Sequence, residues 1–330
     1  MSETPHDHLA RKIFGRPAEA RSLIQAFLPE EQIAILDLQT LRREPRTFVE
    51  PRLRERLSDL LFSVETRGKD RKRTALVYFL FEHKSHQDRW LALQLFVYIA
   101  RIWSTWREEH GDGSRLPLIL PIVLYHGDRP WDRPLELVDL CDAEGRIRDV
   151  LGPAQPRVPL TLIDLCRTSE GRILERLANG TASCALTLLV MKSIRSNDIL
   201  ERLTAWTEII RRARHETGGR QLLETLLCYL YVAPREEIDA ARLQEVLTRS
   251  IGSEAEELVM NTGEKLIEKG RIEGKIEERR EALAAVLRTR LGEIPDAARS
   301  KMATADLKSL QRWHERALTA ASLEEVFAPG

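Results

Sequence analysis

The string YFLFEHKSHQDRW, residues 78–90, ends an apolar run on a carboxylate and then an ammonium, Glu82 and Lys84. At i and i+2 these two side chains share one face of a strand. A second acid, Asp59, interrupts the otherwise apolar LSDLLFSVE of residues 57–65. If the two runs pair as neighbouring strands, Asp59 approaches Glu82 across the ladder, since opposed side chains come within ~5 Å. Two converging carboxylates repel unless a cation lies between them. Mg²⁺ suits such a pair, because this hard ion takes a few protein oxygens and keeps waters for a phosphate-bearing substrate. A lysine beside it can position an attacking water or steady the charge of the transition state. The bland reading is a chance spacing, in which Glu82 and Lys84 form a solvated strand end with an exposed ion pair worth little.

The elements that must position these residues are legible in the patterning. Residues 5–36 have helical spacing punctuated by Pro17 and Pro29. An arginine-rich, Pro-interrupted extended stretch follows. LSDLLFSVE (57–65) and TALVYFLFEHKS (74–85) read as strands joined by the polar turn RGKDRKR, which predicts an antiparallel hairpin. DRWLALQLFVYIARIWSTWREEH (88–110) reads as a helix with Asp88 as its cap. RLPLILPIVLYHG (115–127) is apolar enough for the middle of a covered sheet, and RVPLTLIDL adds a last strand. An α/β core therefore fills residues 1–165. Residues 166–253 contain only amphipathic helices, expected to pack on that core. Residues 254–330 begin with a charged helix and end in short helices.

Composition narrows the function classes. The 330 residues can hold one large domain or two modest ones. Lys plus Arg and Asp plus Glu both number 51, so whole-chain charge gives no argument for nucleic acid, and only local clusters could. Cys141, Cys166, Cys184 and Cys228 are scattered without a C-x-x-C pair, which argues against zinc and disulfide frameworks and favours a reducing cytoplasm. The N-terminal residues are too polar for a signal peptide, and the apolar run CALTLLVM is far short of the ~20 residues of a membrane span. No phosphate-cradling glycine loop supports nucleotide hydrolysis.

Five strings, HDHLARKIF, FLPEEQIAILDLQTL, RERLSDLLFSV, FLFEHKSHQDRW and LPLILPIVLYHGDRPW, occur in order over the first 165 residues. Together they resemble the recombination-promoting nuclease (Rpn, YhgA-like transposase) family of the PD-(D/E)XK nuclease superfamily. The resemblance implies a restriction-endonuclease-like core, a mixed sheet flanked by helices, followed by an all-α C-terminal half. It also implies an Mg²⁺-dependent DNA endonuclease linked to recombination or mobile elements. Asp59, Glu82 and Lys84 match the nuclease motif, with Asp59 and Glu82 as the metal ligands. Gln94 and Tyr98 match a Q-x-x-x-Y pattern similar to the exonuclease branch, and one helical turn apart they share a face. Ser58 stands where the superfamily motif carries proline, and Asp7 is a weak match to the N-terminal acid of some members. A second reading belongs to another class: a catalytically silent binding or regulatory protein acting through its C-terminal helices.

Other residues carry two readings each. His6 and His8 resemble a ligand pair, but the polar HD dipeptide suits a helix cap better. His126 in YHGDRPW either approaches the site or belongs to a structural turn. The arginines of 42–56 and the basic turn at 67–73 either contact phosphates or are solvated. Trp103 and Trp106 have apolar neighbours and read as core rather than base-stacking platforms. Gly263, Gly270 and Gly274 each cost ~1 kcal/mol in a helix against Ala, a cost that close helix packing in a homo-oligomer would offset; the other reading is a frayed linker helix.

Overall fold

The computed structural model describes residues 4–44, 60–67, 74–82, 87–111, 115–234 and 238–328, with backbone alone at 74, 78–82, 269 and 273. The chain divides into two compact units, Met1–Glu256 and Glu257–Gly330. In the first, helix α1 (Pro5–Phe14) opens on a capping box: Thr4 Oγ1 accepts from the Asp7 amide, and Asp7 Oδ2 accepts from the Thr4 amide. Asp7, the N-terminal acid considered above, is committed to that cap. Helices α2 (Pro17–Phe27) and α3 (Glu30–Ala34) lead into strand β1 (Leu36–Arg43). Then come β2 (Leu60–Thr66), β3 (Thr74–Glu82), α4 (Leu91–His110), β4 (Leu118–Tyr125), α5 (Gly145–Leu151) and β5 (Thr161–Asp164).

The five strands form one mixed sheet in the order β1-β2-β3-β4-β5. β1, β2 and β3 pair antiparallel in sequence, whereas β3–β4 and β4–β5 pair parallel. The expected hairpin is present, running from Leu60↔Phe79 to Glu65↔Thr74. β1 is not: its residues read as the end of the helical stretch and the start of an extended coil. A register shift between Asp37 and Arg42 explains this, because its buried residues fall at Leu36, Leu38 and Leu41 and the alternation that announces a strand is broken.

Both faces of the sheet are covered, hence the near-continuous apolar runs of its parallel strands. On one face Leu61, Leu76, Val123 and Tyr125 pack with Leu91, Leu95, Tyr98 and Ile102 of α4 and with Trp131. Residues of opposite parity, among them Leu60, Phe62, Val77, Ile122 and Leu124, are equally buried. Trp106 packs against the α4 cluster and stacks on His110, and Trp103 Nε1 donates to the Pro117 carbonyl. Both tryptophans are structural.

Helices α6 (Glu170–Arg176), α7 (Ala182–Ser193), α8 (Ile199–Ala205), α9 (Thr207–His215), α10 (Gly219–Val232) and α11 (Ala240–Ile251) follow. α7 is buried nearly all round, the expected state for a helix apolar on every side. Among the described residues no helix is long and apolar enough to cross a membrane.

The long α12 (Glu254–Leu291) is followed by α13 (Asp296–Ala303), α14 (Leu307–Ala317) and α15 (Leu323–Val326). In the second unit Leu283 and Leu287 pack with Ile294, Met302, Leu310, Val326 and Phe327. A Cβ added at Gly263, Gly270 or Gly274 would meet nothing within 4 Å. No described part of the chain uses these glycines for close packing.

Candidate active site

The parallel register aligns three strand ends, with Glu82 beside Tyr125 and Tyr125 beside Asp164. Sites of open α/β sheets gather outside such carboxyl ends. Glu82 is the last residue of β3, and its side chain lies outside the described residues, as do Asp59 and Lys84. The described part of β2 starts at Leu60, opposite Phe79.

Tyr125 organises this end of the sheet. It is almost fully buried, and its ring meets that of Trp131 edge-on at 5.0 Å. Its hydroxyl donates to the Arg129 carbonyl at 2.9 Å and accepts from Gln87 Nε2 at 3.2 Å. Burial raises the phenol above its ordinary pKa against the opposing pull of the Gln87 hydrogen bond. Gln87, itself buried, also donates to the Pro130 carbonyl at 2.7 Å and accepts from the Asp132 amide at 3.0 Å. Glu82 and Gln87, which bracket the E-x-K motif, are therefore both tied to Tyr125, one through the sheet ladder and the other through a side chain.

Asp164 plays the equivalent part on β5. Its carboxylate accepts from the amides of Trp131 and Cys166, each at 2.8 Å, and of Arg167 at 3.3 Å. One buried acid so pins the turn after β5 to the segment after β4. The Cys166 thiol donates to the Gly127 carbonyl across the same junction, and burial pushes its pKa up to about 11. Neither Gln87 nor Asp164 was singled out from the sequence. Asp164 carried a usable signal, an acid closing an apolar strand, the same one that marks Glu82.

The helical candidates separate. Gln94 Nε2 donates to Asp88 Oδ2 at 2.6 Å, while Asp88 Oδ1 accepts from the Trp90 amide, so this pair secures the start of α4. Tyr98, one turn later, sits in the α4–sheet cluster. Asp7 makes the cap expected of the HD dipeptide, but His6 does not. It points inward, its ring 4.7 Å from that of His126 and its Nδ1 bonded to the Tyr229 hydroxyl. Burial drives the Tyr229 phenol well above its usual range. His126 is thereby part of a buried group joining α1, the end of β4 and α10, and its carbonyl accepts from Arg195. In the basic stretches, Arg42 Nε donates to Ser63 Oγ at 3.2 Å, and residues 45–56 and 68–73 lie outside the described residues.

Comparison with known proteins points one way. Over 270 residues the chain is 28% identical to the Escherichia coli K12 protein named inactive recombination-promoting nuclease-like protein RpnE, covering 82% of this chain and 83% of that one. It is 27% identical to recombination-promoting nuclease RpnD of E. coli O157:H7, over 75% of this chain and 89% of the relative. With recombination-promoting nuclease RpnA of E. coli K12 the identity is 30%, over 61% and 63%. No solved structure is a significant match. The family described as "Putative transposase, YhgA-like" matches residues 4–221, and the chain belongs to that family.

Proposed function

We propose that the chain is an Mg²⁺-dependent DNA endonuclease built on a PD-(D/E)XK core, acting in recombination or on mobile elements. The observation that carries this is the antiparallel β2–β3 pair, with an acid just before Leu60 and E-x-K closing β3, in a chain whose relatives are named recombination-promoting nucleases. The reading requires the Leu60↔Phe79 register to continue by one step. Asp59 would then oppose Leu80, with Glu82 its diagonal neighbour on the same face at ~7–8 Å between backbones, within reach of one ion.

Among the described residues no three His, Cys, Asp or Glu side chains converge to hold a metal ion, so a divalent cation would draw on Asp59 and Glu82. Their carboxylate oxygens are the hard donors that Mg²⁺ selects. When bound, the ion supplies charge neutralisation at the scissile phosphate and a more acidic water. Lys84 donates hydrogen bonds to the attacking water or to the oxygens where charge develops. Gln87 and Tyr125 hold the far end of the E-x-K segment.

The silent-protein reading is kept because RpnE, similar over most of its length, is named inactive. Against it, this chain carries Asp59, Glu82 and Lys84 in the order the nuclease motif requires. Plasmid nicking decides between them. Supercoiled DNA should be nicked in Mg²⁺ and untouched in EDTA. Asp59→Asn should lose activity, with partial return at high Mg²⁺. A wild-type protein that leaves the plasmid intact with every divalent metal overturns the endonuclease reading.

A further inference from the structure

β5 is an outer strand of the sheet, and the turn and helix beyond it carry Arg167, Arg172 and Arg176. Arg167, Arg172 and Arg176 line one cleft of about 270 Å³, together with Asp164, Thr168 and the Phe27 ring. Among the described residues Asp164 is the one carboxylate on that lining, and its oxygens accept from three backbone amides and pair with Arg167 Nε at 3.5 Å. Among the described residues neither Arg172 nor Arg176 is paired with a carboxylate. Arginines elsewhere are, including Arg202 with Glu170, Arg211 with Glu208 and Arg249 with Glu245. Arg176 is also held in place: its guanidinium lies over the Phe27 ring at 5.2 Å and Nη1 donates to the Ala26 carbonyl at 3.2 Å. A guanidinium has five N–H donors in a fixed fork, so most of them remain for an anion.

The location gives the anion a source. Asp164 is aligned through Tyr125 with Glu82, and neighbouring strands lie ~4.8 Å apart, which sets the end of β5 roughly 10 Å from the end of β3. DNA advances ~3.4 Å per nucleotide along each strand, so that distance corresponds to about three nucleotides.

We propose that Arg172 and Arg176 form a phosphate-contact site that grips the DNA backbone a few nucleotides from the scissile bond. This rests on the nuclease reading above and adds how the substrate is held. Arg167 lines the same cleft but is engaged by Asp164 and by the Trp131 carbonyl, which its Nη2 reaches at 2.9 Å.

The test is fluorescence anisotropy of a labelled phosphorothioate duplex titrated with full-length protein in Mg²⁺ over a salt series. Arg172→Gln/Arg176→Gln is compared with wild type and with Arg211→Gln, an exposed arginine of α9. Each phosphate contact contributes about 0.9 to the slope of log K against log salt. The double variant should therefore be shallower by about 1.8, losing roughly an order of magnitude less affinity than wild type over a fourfold rise in salt. Arg172→Gln alone, at an exposed position without side-chain partners, should account for about half of this. Arg211→Gln should match wild type. An unchanged slope in a protein that still nicks plasmid overturns the arginine site and leaves the nuclease reading standing. A shallower slope for the double variant, when wild type itself never nicks, supports the site and overturns the nuclease reading. Wild type that binds no duplex overturns both. Inorganic phosphate binding to these arginines with no change in the duplex slope marks a small-anion site and also overturns the proposal.

Discussion

The two units of this chain bury polarity in different ways. In the first, carboxylate, carboxamide and imidazole groups are sealed from solvent at Glu19, Gln87, Asp164, His6 and His126, and several of their partners lie far away in sequence. His6 reaches Tyr229, Gln87 reaches Tyr125, and Asp164 reaches Trp131. In the second unit the buried polar side chain among the described residues is Thr262, whose hydroxyl simply donates to Leu258 one turn back in its own helix. Its ion pairs, such as Arg271–Glu268 and Arg280–Glu277, lie one turn apart on exposed surface. Burying a polar group costs free energy unless its partners are supplied, and distant partners need a fixed tertiary frame. The first unit therefore concentrates buried polar geometry at the sheet end where Glu82 lies, whereas the second is held by apolar contacts, one-turn ion pairs and long basic side chains that reach backbone carbonyls, such as Arg280 to Met302 and Lys301 to Phe327.

The largest effect is expected at Lys84, the transition-state donor proposed above. Lys84→Met keeps the aliphatic stem and deletes the ammonium. It should bind duplex DNA nearly as wild type does yet cut at least ~100-fold more slowly in single-turnover assays, the scale seen when one transition-state donor is lost. Equal rates would reduce Lys84 to a strand-end charge.

Next in size is the loss of a distant polar partner. Asp164→Ala orphans three backbone amides and should cost about 3 kcal/mol in urea unfolding followed by circular dichroism. Thr262→Val removes a hydroxyl with only a local bond and should cost under ~1 kcal/mol. Equal losses would erase the distinction between the units.

The C-terminal region can be tested for a role outside the single chain. Met260 and Ile267 of α12 are 57% and 75% exposed, and they alternate with Gly263, Gly270 and Gly274 at spacings of three and four residues. We propose that this face meets a second copy of the chain. Sedimentation should give a smaller assembly for Ile267→Glu, and for a chain ending near residue 252, than for wild type. Identical assemblies would remove the proposal.

The smallest effect expected is at Cys166. Its thiol is the form favoured by folding, so its contribution is complete below the ordinary thiol pKa and disappears as pH rises through about 11. At about pH 8, iodoacetamide should alkylate exposed Cys141 first and leave Cys166 and buried Cys184 until last, as read by mass spectrometry. Early labelling of Cys166 would mean that the junction between Gly127 and the end of β5 opens readily.

What could be read from the sequence followed from how local its cause is. The hairpin, α4, the apolar β4 and the charged α12 each announce themselves through the spacing of apolar residues, which a strand or helix fixes within a few positions, whereas α7, expected to be amphipathic, is buried nearly all round. Asp59, Glu82 and Lys84 were visible because charge at the edge of an apolar run conflicts with burial. β1 escaped because its register shift breaks the alternation at the point where a strand is recognised.

The sequence by itself determined the β2–β3 hairpin, α4, β4 and the long α12, the placement of Glu82 at a strand end, and the family. Tertiary structure alone decided where the buried polar groups find their partners. It turned His6 from a capping position toward His126, gave Asp7 to the cap, made Gln87 and Tyr125 a bracket for the E-x-K segment, and left Arg172 and Arg176 without carboxylates beside the edge strand. Those outcomes depend on strand order and on a parallel register set by crossovers tens of residues long, and a hydrogen bond's partner is chosen by that arrangement in space rather than by its neighbours along the chain.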